Sequence, residues 1–189
     1  KPMLVKEAVR LLLPVAQALE YAHREKVLHR DIKPSNILLN RSGEPLLTDF
    51  GIAKLLDAAE AQTLTGTGVG VGTPEYMAPE QIRGEVVDER TDIFAMGALV
   101  FEMIMGSRAF PGRTPMEVYH RTLYEQPPAL GGSPAALAVD RVIRRALAKR
   151  PEDRYPRAGE MAEALRGLRE IDVDGATRAH AITRLIVLP

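Results

Sequence analysis

The chain has 189 residues, 46% of them hydrophobic, which suffices for the core of one domain, or of part of a larger one, and excludes disorder by composition. Lys plus Arg equals Asp plus Glu at 25 each, so no basic field points to nucleic acid and any anion chemistry must rest on local charges. Cysteine is absent, which excludes disulfides and thiolate metal sites and fits a reducing, cytoplasmic setting.

The first residues, "KPMLVKEAV", carry neither an initiator Met nor a secretory pattern and read as cut from something longer. Leu12, Ala16, Leu19 and His23 recur at helical spacing and predict a helix over roughly 5–26. Pro14 should kink that helix or delay its start, because its ring presses on the Arg10 carbonyl and it donates no hydrogen bond. "NILLN" and "EPLLTD", on either side of "RSG", predict two short strands joined by a turn. Residues 49–90 are rich in Gly, Pro and Thr with little periodicity, so a long irregular segment is expected there; such loops are usually functional.

Inside that segment, "TGTGVGVGT" (residues 65–73) puts glycine at alternate positions. Glycines let a backbone approach an anion closely. The spacing from Gly66 or Gly68 nevertheless fails G-x-G-x-x-G, and no lysine follows as a P-loop requires. Spacing alone therefore favours a flexible loop.

Helical patterns then return. Thr91 to Met105 is apolar on nearly every face, as a central helix is; its most apolar part, from Ile93, is too short to span a bilayer and contains Glu102. Thr114 to Tyr124 opens with Pro115 in its first turn. Val139, Val142, Ile143, Ala146 and Leu147 form one stripe, and Ala158, Met161, Ala162 and Leu165 another. The domain should be mainly helical, without a transmembrane segment. The tail "IDVDGATRAHAITRLIVLP" lies beyond the last expected helix and ends in a strand-like run, so 171–189 reads as a linker or the start of a further segment.

The chemistry concentrates in "HRDIKPSN" (29–36), between the first helix and the first strand, and "DFG" (49–51), directly after the second strand. Asp31 and Asp49 offer carboxylates, Asn36 a carboxamide and Lys33 a cation. This is a hard-oxygen set suited to Mg²⁺ and phosphate. Singly, these residues are as well described as a salt-bridged aspartate, a solvated lysine and a turn-capping asparagine. In register, the set outweighs those readings.

H-R-D-x-x-x-x-N, then D-F-G, then A-P-E at Ala78 to Glu80, in this order, resembles the protein kinase family, closest to the eukaryotic-like serine/threonine kinases of bacteria. The resemblance implies a protein-kinase-like α+β fold, of which residues 1–170 are the mainly α-helical C-terminal lobe with a small β-hairpin at the catalytic site. It also implies ATP and Mg²⁺ as cofactors, and proteins with Ser or Thr acceptors as substrates. Carried over residue by residue, Asp31 matches the catalytic base and Lys33 the residue that steadies the γ-phosphate. Asn36 and Asp49 match the Mg²⁺ ligands, and Leu38 the apolar floor under the adenine. Thr73 in "GTPEYMAPE", with Lys33, matches the serine/threonine pattern. Glu80 and Arg154 match the family's buried ion pair, Asp92 the aspartate that holds the catalytic-loop backbone, and His29 and Phe50 its stacked spine residues.

The glycine-threonine stretch falls between "DFG" and "APE", which makes it activation segment. Thr65 and Thr67 match the positions of activating phosphothreonines, and Arg30 and Lys54 are the cations suited to receive their phosphates. The small N-terminal lobe of the family is missing from these residues: no glycine-rich loop and no V-A-I-K lysine precede His29. Phe50 and Leu38 are therefore expected to face solvent. Two other readings compete with the enzyme, a pseudokinase or docking scaffold and a small-molecule phosphotransferase. The intact Asp31, Lys33, Asn36 and Asp49 argue against the first, and the "APE" platform against the second.

Overall fold

A computed structural model describes residues 2–50, 73–131, 134–168 and 186–187. The first helix, α1 (Val5–Arg24), buries Val5, Ala8, Val9, Leu11, Leu12, Val15, Ala16, Leu19 and Ala22 on one face. It runs through Pro14, which lies on the exposed side, so the helix neither starts late nor stops there. The packed residues around the proline outweigh its missing hydrogen bond.

At the end of α1 the Lys26 N–H donates to the His23 carbonyl (3.0 Å) and the Val27 N–H to the Ala22 carbonyl (2.9 Å). This is the paired-bond C-terminal motif that usually seats glycine at its left-handed position. Here that position is Lys26, with φ +63°.

A turn of 3₁₀ helix (Pro34–Asn36) leads into β1 (Ile37–Leu39), which pairs antiparallel with β2 (Pro45–Leu47). Ile37 lies opposite Leu47 and Leu38 opposite Leu46. The hairpin gains a third strand: β3 (Ile186–Val187) runs parallel to β1, Ile186 beside Leu38 and Val187 beside Leu39, giving the order β2-β1-β3. Part of the tail thus returns to the hairpin.

The region expected to be irregular up to residue 90 contains another 3₁₀ turn (Pro74–Tyr76) and a short helix, α2 (Pro79–Arg83). Helix α3 (Glu89–Met105) begins two residues earlier than the apolar pattern indicates, because Asp88 caps it by accepting the Arg90 N–H at 2.8 Å. Asp92 is therefore inside the first turn and is not the N-cap. Residues 91–101 of α3 are all buried.

Helix α4 (Pro115–Tyr124) is capped by Thr114, and α5 (Pro134–Ala146) and α6 (Ala158–Leu168) complete the lobe. Helix α1 packs on α6 and α3, and α3 on α5. The α3–α5 approach depends on Gly97, where an added Cβ would sit 2.7 Å from that of Ala146. One core joins these helices to Ile32, Ile37, Tyr76 and Phe110. Among the described residues, no helix is long and apolar enough to cross a membrane.

Candidate active site

The loop between α1 and β1 is held from below by one carboxylate. Asp92, 1% exposed, accepts the His29 N–H on Oδ2 (2.8 Å) and the Arg30 N–H on Oδ1 (2.7 Å). Its Oδ2 also lies 2.8 Å from His23 Nε2. An ionised carboxylate only accepts, so that nitrogen of His23 carries the proton. Gln81 of α2 adds a second support, donating from Nε2 to the Arg30 carbonyl at 3.1 Å while its Oε1 accepts the Ala78 N–H.

His29 is fully buried. Its Nε2 donates to the Thr48 carbonyl (2.9 Å), which leaves Nδ1 to accept the Asp31 N–H at 3.3 Å. Its ring lies 4.7 Å from that of Phe50. One histidine thus ties the loop before β1 to the segment after β2.

On this loop Lys33 Nζ lies 2.7 Å from Asp31 Oδ2, both side chains 22% exposed. Asn36, 5% exposed, donates from Nδ2 to the Asp31 carbonyl (2.8 Å) and to Asp31 Oδ2 (3.3 Å). The Thr48 N–H donates to the Asn36 carbonyl at 2.9 Å, so Asp49 follows one residue beyond a bond to Asn36. Asp49 is exposed.

Arg30 and Asp49 both take left-handed backbone conformations, φ +65° and +57°. Such conformations are uncommon outside glycine, and they cluster where surrounding contacts hold a residue for function. Thr73 joins Arg30, Asp31 and Ile32 in the wall of one small cavity of about 10 Å³. Leu38 and Phe50, expected to face solvent, are both half-buried, since Phe50 packs on His29 and Leu38 sits between two strands. The exposed leucine of the hairpin is Leu46. Lys54, Thr65 and Thr67 lie outside the described residues.

The donor chemistry fits Mg²⁺: an exposed carboxylate at Asp49 and the carboxamide oxygen of Asn36, which among the described residues takes only a 3.4 Å contact from Ser35 Oγ. Mg²⁺ takes one or two such protein oxygens and completes its shell with water and phosphate.

Beneath the loop, Arg154 and Glu80 form a bidentate pair, Nη1 to Oε1 at 2.7 Å and Nη2 to Oε2 at 2.8 Å. Arg154 also donates to the carbonyls of Ala148, Arg90 and Lys149, and Thr91 Oγ1 donates to Glu80 Oε1 at 2.8 Å. Burial pushes the Glu80 carboxyl up, but the Arg154 guanidinium and the Thr91 hydroxyl outweigh it and hold it below the usual range.

Beside this pair Lys149 donates to the Thr122 carbonyl and sits 4.0 Å above the Phe110 ring. Burial, aided by the charge of Arg154, lowers its ammonium to about 8. The folded state therefore releases this proton before the unfolded chain does, so stability contributed through Lys149 rises with pH between about 8 and the ordinary lysine value near 10.5. Replacing Lys149 with Met should remove that rise, so the stability difference between parent and variant should change with pH across this window. Parallel curves across this window would refute the shift.

Sequence reading misses His23, Gln81 and Thr91 as supports. Only His23 leaves a signal, as a titratable residue ending an apolar stripe. Gln81 and Thr91 act through contacts 51 and 11 residues away along the chain.

The helical lobe thus carries a carboxylate, an ammonium and two Mg²⁺-suited oxygens on the connections around the hairpin, a set whose chemistry suits phosphate. The family described as "Protein kinase domain" matches residues 2–163, and the chain belongs to that family. It is 39% identical over 185 residues to a probable serine/threonine-protein kinase of Corynebacterium efficiens, covering 95% of this chain and 28% of that protein. It is 38% identical to a probable PknB of Corynebacterium glutamicum over 94% of this chain and 28% of the relative. It is 36% identical to the serine/threonine-protein kinase PknB of Mycobacterium tuberculosis over 85% of this chain and 26% of the relative. The chain therefore spans a little over a quarter of the length of these relatives.

Proposed function

We propose that this lobe transfers the γ-phosphoryl group of ATP to serine or threonine hydroxyls of proteins, as part of a longer kinase whose other lobe covers the nucleotide. The observation that carries the reading is the convergence of Asp31, Lys33 and Asn36 on one loop, with Asp49 tied to it through Thr48. Asp31 orients the acceptor hydroxyl and takes its proton; Lys33, a point cation beside it, steadies the phosphoryl group in flight. Asn36 and Asp49 would hold Mg²⁺, and Leu38 would supply an apolar floor for the adenine. When bound, ATP would supply the transferable phosphoryl group and Mg²⁺ would neutralise charge on its oxygens. Thr73, in the same cavity wall as Asp31, places the acceptor.

Arg30 supports a regulatory reading as well. Arg30 Nε is buried and has no hydrogen-bond partner among the described residues. A phosphate on Thr65 or Thr67 brings about −1.5 to −2 charges and acceptor oxygens suited to Arg30 and Lys54. Phosphorylation there switches the kinase on.

The reading is tested by incubating a kinase that contains both lobes, and this lobe alone, with labelled ATP, Mg²⁺ and mixed acceptor peptides. The two-lobed protein should label Ser and Thr and spare Tyr. The lobe alone should fold, bind ATP very weakly and label nothing. Tyrosine labelling, or turnover by the isolated lobe, would overturn the assignment.

A further inference from the structure

Strand β1 has two edges. On one, the Thr48 N–H donates to the Asn36 carbonyl (2.9 Å) and the Asn40 N–H to the Glu44 carbonyl (3.0 Å). Bonded and non-bonded positions alternate along an antiparallel pair, so Asn36, Leu38 and Asn40 turn their backbone groups to β2 while Ile37 and Leu39 turn theirs to the opposite edge. An edge of this kind is a template for an extended segment. Here the chain's own tail takes it: β3 runs parallel to β1, with Ile186 beside Leu38 and Val187 beside Leu39. In this register the Leu39 N–H faces the Ile186 carbonyl, and the Ile186 N–H faces the Ile37 carbonyl.

The tail suits the place by composition. Its run "LIVLP" is β-branched at the centre, and its final proline has no N–H with which to extend a ladder, so the pairing stays short. The place also adjoins the candidate site. Ile37 belongs to the core and Leu39 packs against it, which turns Leu38 to the other face of the hairpin. Neighbouring strands lie about 4.8 Å apart, so β3 stands within one strand spacing of the residue read above as the floor for the adenine.

We propose that the tail strand is an inhibitory segment acting in cis: paired with β1, it holds the space beside Leu38 and competes for it with the adenine of ATP. The proposal rests on the reading of Leu38 as the adenine floor. Two residues pair through few backbone bonds, each of modest net strength, so ATP at sufficient concentration displaces the strand. The tail then sets the ATP concentration at which the kinase responds and leaves its maximal turnover unchanged.

The test is Ile186→Pro, which removes the donor facing Ile37, beside Ile186→Val, which keeps it. In the 189-residue chain, hydrogen exchange of the Leu39 amide should quicken roughly tenfold in Ile186→Pro, while the Leu38 amide, turned to β2, stays as slow as in the parent. In the complete kinase, Ile186→Pro should lower the KM for ATP roughly tenfold at unchanged kcat. Ile186→Val should match the parent in both measurements. Unchanged Leu39 exchange would mean that the tail does not pair, and faster exchange with an unchanged or higher KM would mean that it only covers the edge; either result overturns the proposal. A complete kinase that labels no peptide in any form, with Leu39 exchange altered as expected, fails the catalytic reading and takes the inhibition with it, and the exchange data tell this result from the other two.

Discussion

Asp31→Asn in the complete kinase is expected to lower turnover by roughly 10² to 10⁴ while nucleotide affinity stays nearly intact. The substitution keeps the shape of the side chain and removes its capacity to accept a proton. Asp31 Oδ2 is held by Lys33 at 2.7 Å and by Asn36 at 3.3 Å, and its amide by His29, so the carboxylate is oriented before any acceptor arrives. Preorganisation of this kind puts the loss into the chemical step, not into ATP binding. The measurement is single-turnover phosphoryl transfer beside a nucleotide titration. Undiminished turnover would remove Asp31 from its role, and a parallel collapse of ATP affinity would mean that the change disrupts the loop.

Arg154→Ala should destabilise the lobe by about 3–5 kcal/mol, far beyond a typical surface change. The side chains of Arg154 and Glu80 are 0% and 2% exposed, and deletion strands a carboxylate together with the carbonyls of Ala148, Arg90 and Lys149. The effect has a pH signature. In the parent, Glu80 titrates below its ordinary value near 4.5, so its contribution is complete above that value and is lost as pH falls through the lower folded one. In the variant, burial without a cation raises the carboxyl, so acid relieves the unpaired charge. Parent and variant stabilities should therefore converge as pH falls towards 4, followed by chemical denaturation at several pH values. A constant difference would mean that the pair contributes through packing alone.

What local sequence could carry was the periodic part. The stripe Leu12, Ala16, Leu19 marked α1, and the short apolar runs on either side of "RSG" marked the hairpin, because a helix or a strand pattern needs only neighbours within a few residues. Departures arose where distant contacts outweighed local preference. Pro14 does not delay the start of α1 because the opposite face is packed, and Asp88 extends α3 beyond its apolar pattern. Leu38 and Phe50 are covered by groups far away in the chain or across the hairpin, which no window of sequence contains.

For the site, the sequence by itself determined the residue types and their order: Asp31, Lys33, Asn36 and Asp49 on connections flanking two short strands, and the family to which that order belongs. Only the tertiary structure decided how they are held. Asp92 gathers His23 and the amides of His29 and Arg30 across more than 60 residues of chain, and Arg154 meets Glu80 across 74. Covalent order constrains the chemistry that a short loop can offer. The direction of a carboxylate within it is set by hydrogen bonds from residues that fold next to it, and their partners follow from the packing of α1, α3 and α6, not from their spacing.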